Sequence, residues 1–226
     1  VHPTVGFTAI DDLVVRDVTK VGYHDGSNTA FGFDISDPDG TGLIENVTMA
    51  DGSIPEAVAT YVATHGELTF RDCHIEGFGN NGLYASLSNG PVHVEGGIYR
   101  NNDIAQVRLG SPGSTVSNAT IAVDDPRPSD MNMRGIRISD GPGPVYIDNC
   151  DIHMERGPGG GGVVNAYSCG SFVLQTSRIY VGPEYYVIGS DGTATSFAIY
   201  VDEPTGIDDP GSRTIERVAI SGGGIY

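Results

Sequence analysis

The chain has 226 residues, 33 of them glycine and none tryptophan, and carries a formal net charge of −17 from 29 acidic and 12 basic residues. Phosphate-backbone recognition needs the opposite sign, so nucleic-acid binding is excluded. No apolar run is long enough to span a bilayer as a helix.

Taken in chain order, one six-residue pattern recurs: apolar, polar, Asn/Asp, small, polar, apolar. It reads VRDVTK from Val15, IENVTM from Ile44, FRDCHI from Phe70 and VEGGIY from Val94. It continues as VSNATI from Val116, IDNCDI from Ile147, LQTSRI from Leu174 and IERVAI from Ile215. The steps between hexads are 29, 26, 24, 22, 31, 27 and 41 residues. An Asn/Asp position recurring at this period predicts an all-β fold, a right-handed parallel β-helix of about eight coils, with loops inserted in the longer steps. Propeller blades are longer, and a β-sandwich imposes no common register. We read residues 1–226 as a single β-helix domain. The chain opens on Val1 and stops within a repeat, and the expectation is continuity with a longer protein.

The first and last hexad positions should point inward and stack. The third should make a bend in the left-handed region, which Asn, Asp and Gly tolerate. Thr176 and Arg217 break that rule and predict irregular final coils. The small residues at the fourth position suggest a tight inward corner. Cys73 and Cys150 fall in this column three coils apart, roughly 14 Å at the ~4.8 Å strand spacing, too far for a disulfide. The acceptor patterns at Asn46 and Asn118 are by-products of the repeat.

A second strand is expected at GLYAS from Gly82, AQVRLG from Ala105, RGIRIS from Arg134 and GVVNAYS from Gly162, each alternating with period two. Residues 54–64 are also read as strand. The second strands should turn a row outward: Tyr84, Gln106, Arg108, Arg137, Asn165 and Tyr167. Asn80, Asn81, Asn101 and Asn102 stand at the preceding turns. Aromatic rings, guanidinium groups and amides on a rigid sheet suit carbohydrate, so these residues form the candidate ligand face.

Signals for catalysis are thin. The pairs Asp11-Asp12, Asp124-Asp125 and Asp208-Asp209 fall at turns and are read as solvated surface. A glycosidase needs only two carboxylates flanking a sugar bond. The outward candidates are Asp148, Asp151, Glu155, Glu95 and Glu76. His74, His93 and His153 lie on separate coils without ligand spacing, so no metal and no cofactor are expected.

The fragments HIEGFGNNGLYAS, YRNNDIAQVRLGSPGS and MRGIRI, between Cys73 and Tyr167, resemble right-handed β-helix repeat proteins of haloarchaea and their viruses, within the pectate-lyase-like superfamily. Aspartate outnumbers glutamate by 20 to 9, and Lys20 is the sole lysine. This acidic composition is similar to that of proteins from salt-loving archaea. The resemblance implies a non-catalytic, extracellular module of a cell surface or virion, a fibre-like adhesion element that meets glycans. It also implies contact with other subunits, as in a homotrimer. The alternatives it leaves are a polysaccharide lyase or glycoside hydrolase, and a purely structural subunit.

Overall fold

The computed structural model describes residues 4–26, 28–166, 169–202 and 211–222. Among them there is no helix, and the strands form three sheets. The first sheet stacks Val5–Ala9, Phe31–Ile35, Thr60–Val62, Leu83–Tyr84, Val107–Leu109, Arg134–Ile138, Gly161–Asn165 and Ile199–Val201. The second stacks Asp12–Arg16, Thr41–Glu45, Glu67–Arg71, Val92–Glu95, Thr115–Ser117, Val145–Asp148, Phe172–Gln175 and Arg213–Glu216. The third runs through Thr48–Met49, His74–Glu76, Ile98–Arg100, Thr120–Val123, Asp151–Pro158, Arg178–Ile188 and Ala219–Gly222. The chain visits first, second and third sheet in turn, and every inter-coil pairing is parallel. This is a β-solenoid of about seven turns, close to the expected eight coils.

The hexads lie in register. Val15, Ile44, Phe70, Val94, Val116, Ile147, Leu174 and Ile215 form one file through the second sheet. Met49, Ile75, Tyr99, Ile121, Ile152, Ile179 and Ile220 form the matching file in the third. Away from the ends these side chains are fully buried, and with the inward residues of the first sheet they make one core running the length of the solenoid. Cys73 and Cys150 are free and buried, as their shared column required, and Cys169, outside that column, is free and buried too.

Between the two files the bend is left-handed: φ is 56° at Asp17, 52° at Asn46, 51° at Asp72, 71° at Gly96, 56° at Asn118 and 51° at Asn149. The amides ladder along the axis. Asn46 Nδ2 donates to Asp17 Oδ1 at 2.6 Å, and Asn149 Nδ2 to Asn118 Oδ1 at 2.7 Å. The irregularity expected of the final coils does not reach the bend itself, where Thr176 and Arg217 both adopt φ 53°. The stacked neighbours over-determine the bend, so these residues carry its strain rather than relieve it. Thr176→Asn removes a β-branched side chain from left-handed backbone and sets a donor beside Asn149. Urea denaturation should show a gain of about 1 kcal/mol.

The strand expected over residues 54–64 shortens to Thr60–Val62, because Pro55 opens a turn. The first and second sheets meet at a glycine corner that stacks Gly40, Gly66 and Gly90. A Cβ on Gly66 would sit 2.5 Å from Gly40 O, and one on Gly90 2.2 Å from Gly66 O. The 41-residue step holds the longest excursion. Arg178–Ile188 runs beyond the coil and turns back in an antiparallel pairing of Val187 and Ile188 with Thr195 and Ala194. That hairpin stands beside the first sheet and forms a wall of the site described next.

Candidate functional site

The outer face of the first sheet carries one file of aligned residues: Gly6, Gly32, Tyr61, Tyr84, Arg108, Arg137, Val164 and Tyr200. Period-two alternation turns these outward while their neighbours fill the core. The Tyr61 and Tyr84 rings meet edge to face, with centroids 5.4 Å apart. The Arg108 guanidinium lies 4.5 Å over the Tyr84 ring centroid, a cation–π contact.

Arg108 is also tied to its neighbours. Its Nε donates to Ser139 Oγ at 2.8 Å, and its guanidinium pairs with Asp140. Asp140 Oδ2 accepts from Ser86 Oγ at 2.7 Å and Ser139 Oγ at 2.9 Å, so one carboxylate joins three coils. Burial pushes its pKa up, but the hydrogen bonds from Ser86, Arg108 and Ser139 and the Arg108 charge outweigh it, leaving the carboxyl below the usual range. A group with a depressed folded pKa stabilises above its unfolded pKa of about 3.9, and that contribution fades as pH falls through the folded value. Asp140→Asn should therefore destabilise the protein at neutral pH. The gap between variant and parent should close in thermal melts below the ordinary aspartate range.

Past Arg137 the file enters a cleft of about 330 Å³ lined by Arg134, Arg137, Gly160, Val164, Ala166, Val187, Phe197, Tyr200 and Asp202. The Phe197 and Tyr200 rings lie 5.0 Å apart, and Tyr200 Oη donates to Asp202 Oδ1 at 3.0 Å. The Arg134 guanidinium is pushed down to about 10, by burial first and then by the charges of Arg137 and Arg108. It remains protonated at neutral pH. Within a strongly acidic chain, this face gathers cationic and aromatic groups around an apolar floor.

Three of the six residues expected on this face, Tyr84, Arg108 and Arg137, stand together in the file. Gln106 and Asn165 do not belong to it, because both are fully buried. Gln106 lies at the corner before its strand, where alternation no longer applies. Its Oε1 accepts from Asn102 N, and its Nε2 donates to Asn102 O, both at 2.8 Å. Asn165 sits one residue past Val164 and so points inward, aligned with Ile138 and Val201. Its Oδ1 accepts from Arg213 Nε at 3.1 Å. Tyr167 lies outside the described residues. The turn asparagines serve structure: Asn81, Asn101 and Asn102 are buried, and Asn102 Oδ1 accepts from Phe78 N at 3.0 Å.

Tyr61, Arg134, Phe197 and Tyr200 were not among the expected site residues. Tyr61 was within reach, since it lies one coil before Tyr84 in an alternating stretch. Arg134 opens one of the alternating second strands but falls on the inward parity of Ile136 and Ile138, and Phe197 lies in the insertion just past the hairpin, so alternation marks neither as an outward residue.

The candidate catalytic carboxylates are mostly paired. Arg71 holds Glu95 at 2.8 Å and Arg100 approaches Glu76 at 3.6 Å. Asp151 and Glu155 line a groove on the third sheet with His153, Arg178 and Tyr180. Asp151 bonds Arg178 at 3.0 Å and His153 at 3.1 Å. Burial raises its pKa less than Arg178 and His153 lower it, so the carboxyl falls below the usual range, which makes it a poor general acid. Asp208 and Asp209 lie outside the described residues. Of the histidines considered as ligands, His74 bonds Glu76 at 2.9 Å and His93 bonds Thr115 Oγ1 at 2.9 Å. Among the described residues, no three His, Cys, Asp or Glu side chains are arranged so that they could hold a metal ion. No protein-family model, curated protein or solved structure matches the chain.

Proposed function

We propose that this chain is a rigid, non-catalytic binding module for acidic polysaccharide, carried on a haloarchaeal cell surface or virion as an adhesion element. One observation carries the reading: Tyr61, Tyr84, Arg108 and Arg137 stand on four successive coils of a single outward file, at the rise of one strand per coil, with Tyr200 two coils beyond Arg137, past the buried Val164. That rise, ~4.8 Å, is close to the length of one sugar ring in an extended polymer, so successive rings can meet successive side chains. Tyrosine faces take the apolar face of a ring, and arginine takes a carboxylate in bidentate fashion. The arginines favour an acidic glycan over a neutral one.

The net charge of −17 repels a polyanion at long range. Molar salt shortens that repulsion to ~3 Å while leaving contact-distance pairs in place. Binding is therefore expected to persist in molar salt. In calorimetric titrations there, Arg137→Ala should weaken binding of an acidic oligosaccharide by about tenfold to a hundredfold, the range for losing one charge-assisted hydrogen bond. Tyr84→Ala should weaken it as well, and neutral oligosaccharides should bind less tightly than acidic ones. Equal affinity for neutral chains, or release of shortened oligosaccharide by the parent protein, would contradict the reading.

A further inference from the structure

The two glycosylation acceptor patterns, Asn46-Val47-Thr48 and Asn118-Ala119-Thr120, follow from the repeat, yet the structure does not make them equal. Both asparagines are exposed, and both hold the left-handed bend between the second and third sheets, at φ 52° and 56°. They differ in what the coil below offers. Below Asn46 stands Asp17, and Asn46 Nδ2 donates to Asp17 Oδ1 at 2.6 Å. Asn149, which belongs to no acceptor pattern, donates in the same way to Asn118 Oδ1 at 2.7 Å. Below Asn118 stands Gly96, which has no side chain to accept the amide. Among the described residues, Asn118 Nδ2 makes no hydrogen bond. Of the three ladder asparagines, Asn118 alone keeps its amide nitrogen open.

The surroundings suit an attached sugar. Thr120, with the hydroxyl that the acceptor pattern requires, is exposed. Ile98 pairs with Thr120 one coil below and is 39 % exposed. The same file otherwise turns Thr48, His74, Asp151 and Arg178 outward. The first ring of a glycan on Asn118 can lay its apolar face over Ile98 and take it from water. The bend joins the second and third sheets, at the corner opposite the first. A glycan there leaves the tyrosine–arginine file clear.

We propose that Asn118, and not Asn46, carries an N-linked glycan, with the folded coil as its acceptor. The step is a glycosyl transfer from an oligosaccharide linked to a polyprenyl phosphate. Asn118 Nδ2 attacks the anomeric carbon, and the C–N bond forms as the bond from that carbon to the phosphate oxygen breaks. The phosphate leaves with the electron pair, and the amide nitrogen releases one proton. At Asn46 the product would crowd a sugar against the Asp17 carboxylate. The proposal rests on the cell-surface or virion placement proposed above, and not on glycan binding.

The test is the chain secreted from a host that performs N-linked glycosylation, read by intact mass and by tandem mass spectrometry of the peptides around Asn46 and Asn118. Directing the chain to that route reads Asn118 separately from where the natural protein resides, and titrations of Arg137→Ala read the binding face separately from both. The parent should carry one glycan, on Asn118. Asn118→Gln and Thr120→Val should both lose it, and Asn46→Gln should keep it. Gly96→Asn sets an acceptor below Asn118, as Asp17 does below Asn46. Asparagine tolerates the φ of 71° at Gly96, and its Cβ would meet only the end of the exposed Asp72 side chain within 3 Å. Occupancy at Asn118 should then fall severalfold. Circular dichroism of each variant establishes that the fold is kept. A bare Asn118 in the secreted parent, a glycan on Asn46, or undiminished occupancy in folded Gly96→Asn would overturn the proposal.

Discussion

Alanine at Gly90 should lower stability by about 3 kcal/mol, at the upper end of overpacking effects. The added Cβ would sit 2.2 Å from Gly66 O and 2.3 Å from His65 O. Both obstacles are backbone atoms of the coil below, so no rotamer change relieves them. The corner also carries the register: Asn89 N and Gly90 N both donate to Thr64 O, at 2.9 Å and 3.2 Å. Separating the coils there loosens two hydrogen bonds as well as the packing. Gly32→Ala is the control, since a Cβ at Gly32 meets nothing within 4 Å on the outer face. Urea unfolding of the pair should show a large fall in midpoint for Gly90→Ala and almost none for Gly32→Ala. Equal midpoints would mean that the corner is not closely stacked.

Phe70→Ala should cost roughly 3–5 kcal/mol, the range for emptying a buried aromatic site. Phe70 is 1 % exposed and meets the Phe33 ring edge to face at 5.5 Å. Each coil buries only a narrow stack between its neighbours, so a hole at Phe70 has little spare side chain to fill it. Ile44 and Val94, directly below and above, are held by parallel hydrogen bonding on both sides. Phe7→Ala should cost much less, because Phe7 lies on the open first coil and is only half-buried. A thermal scan that ranks the two the other way would contradict a core continuous through the middle coils.

The second and third sheets were legible in the hexads because the bend demands a left-handed residue once per coil, and few residues accept it. That demand writes itself into the sequence as Asn, Asp and Gly at a regular period. The first sheet imposes only alternation, so its inner and outer residues were separable along a strand but not at its corners. Gln106 was misplaced at such a corner, and Asn165 by one residue at a strand end. The Gly40, Gly66 and Gly90 corner was not singled out, because a close backbone approach leaves only glycines, and this chain has many. Thr176 and Arg217 mark the converse case: the stacked coils impose the bend on residues that disfavour it. The cleft was out of reach because its hairpin wall lies in an insertion that follows no repeat.

Chemical-shift mapping with an acidic oligosaccharide in molar salt tests the central claim most directly. The expected result is a set of perturbations along one face, at Tyr61, Tyr84, Arg108 and Arg137 on successive coils and at Tyr200 beyond Val164, with the Asp151–Glu155 groove on the third sheet unchanged. Perturbations centred on that groove, or none on the tyrosine–arginine file at saturating ligand, would contradict it.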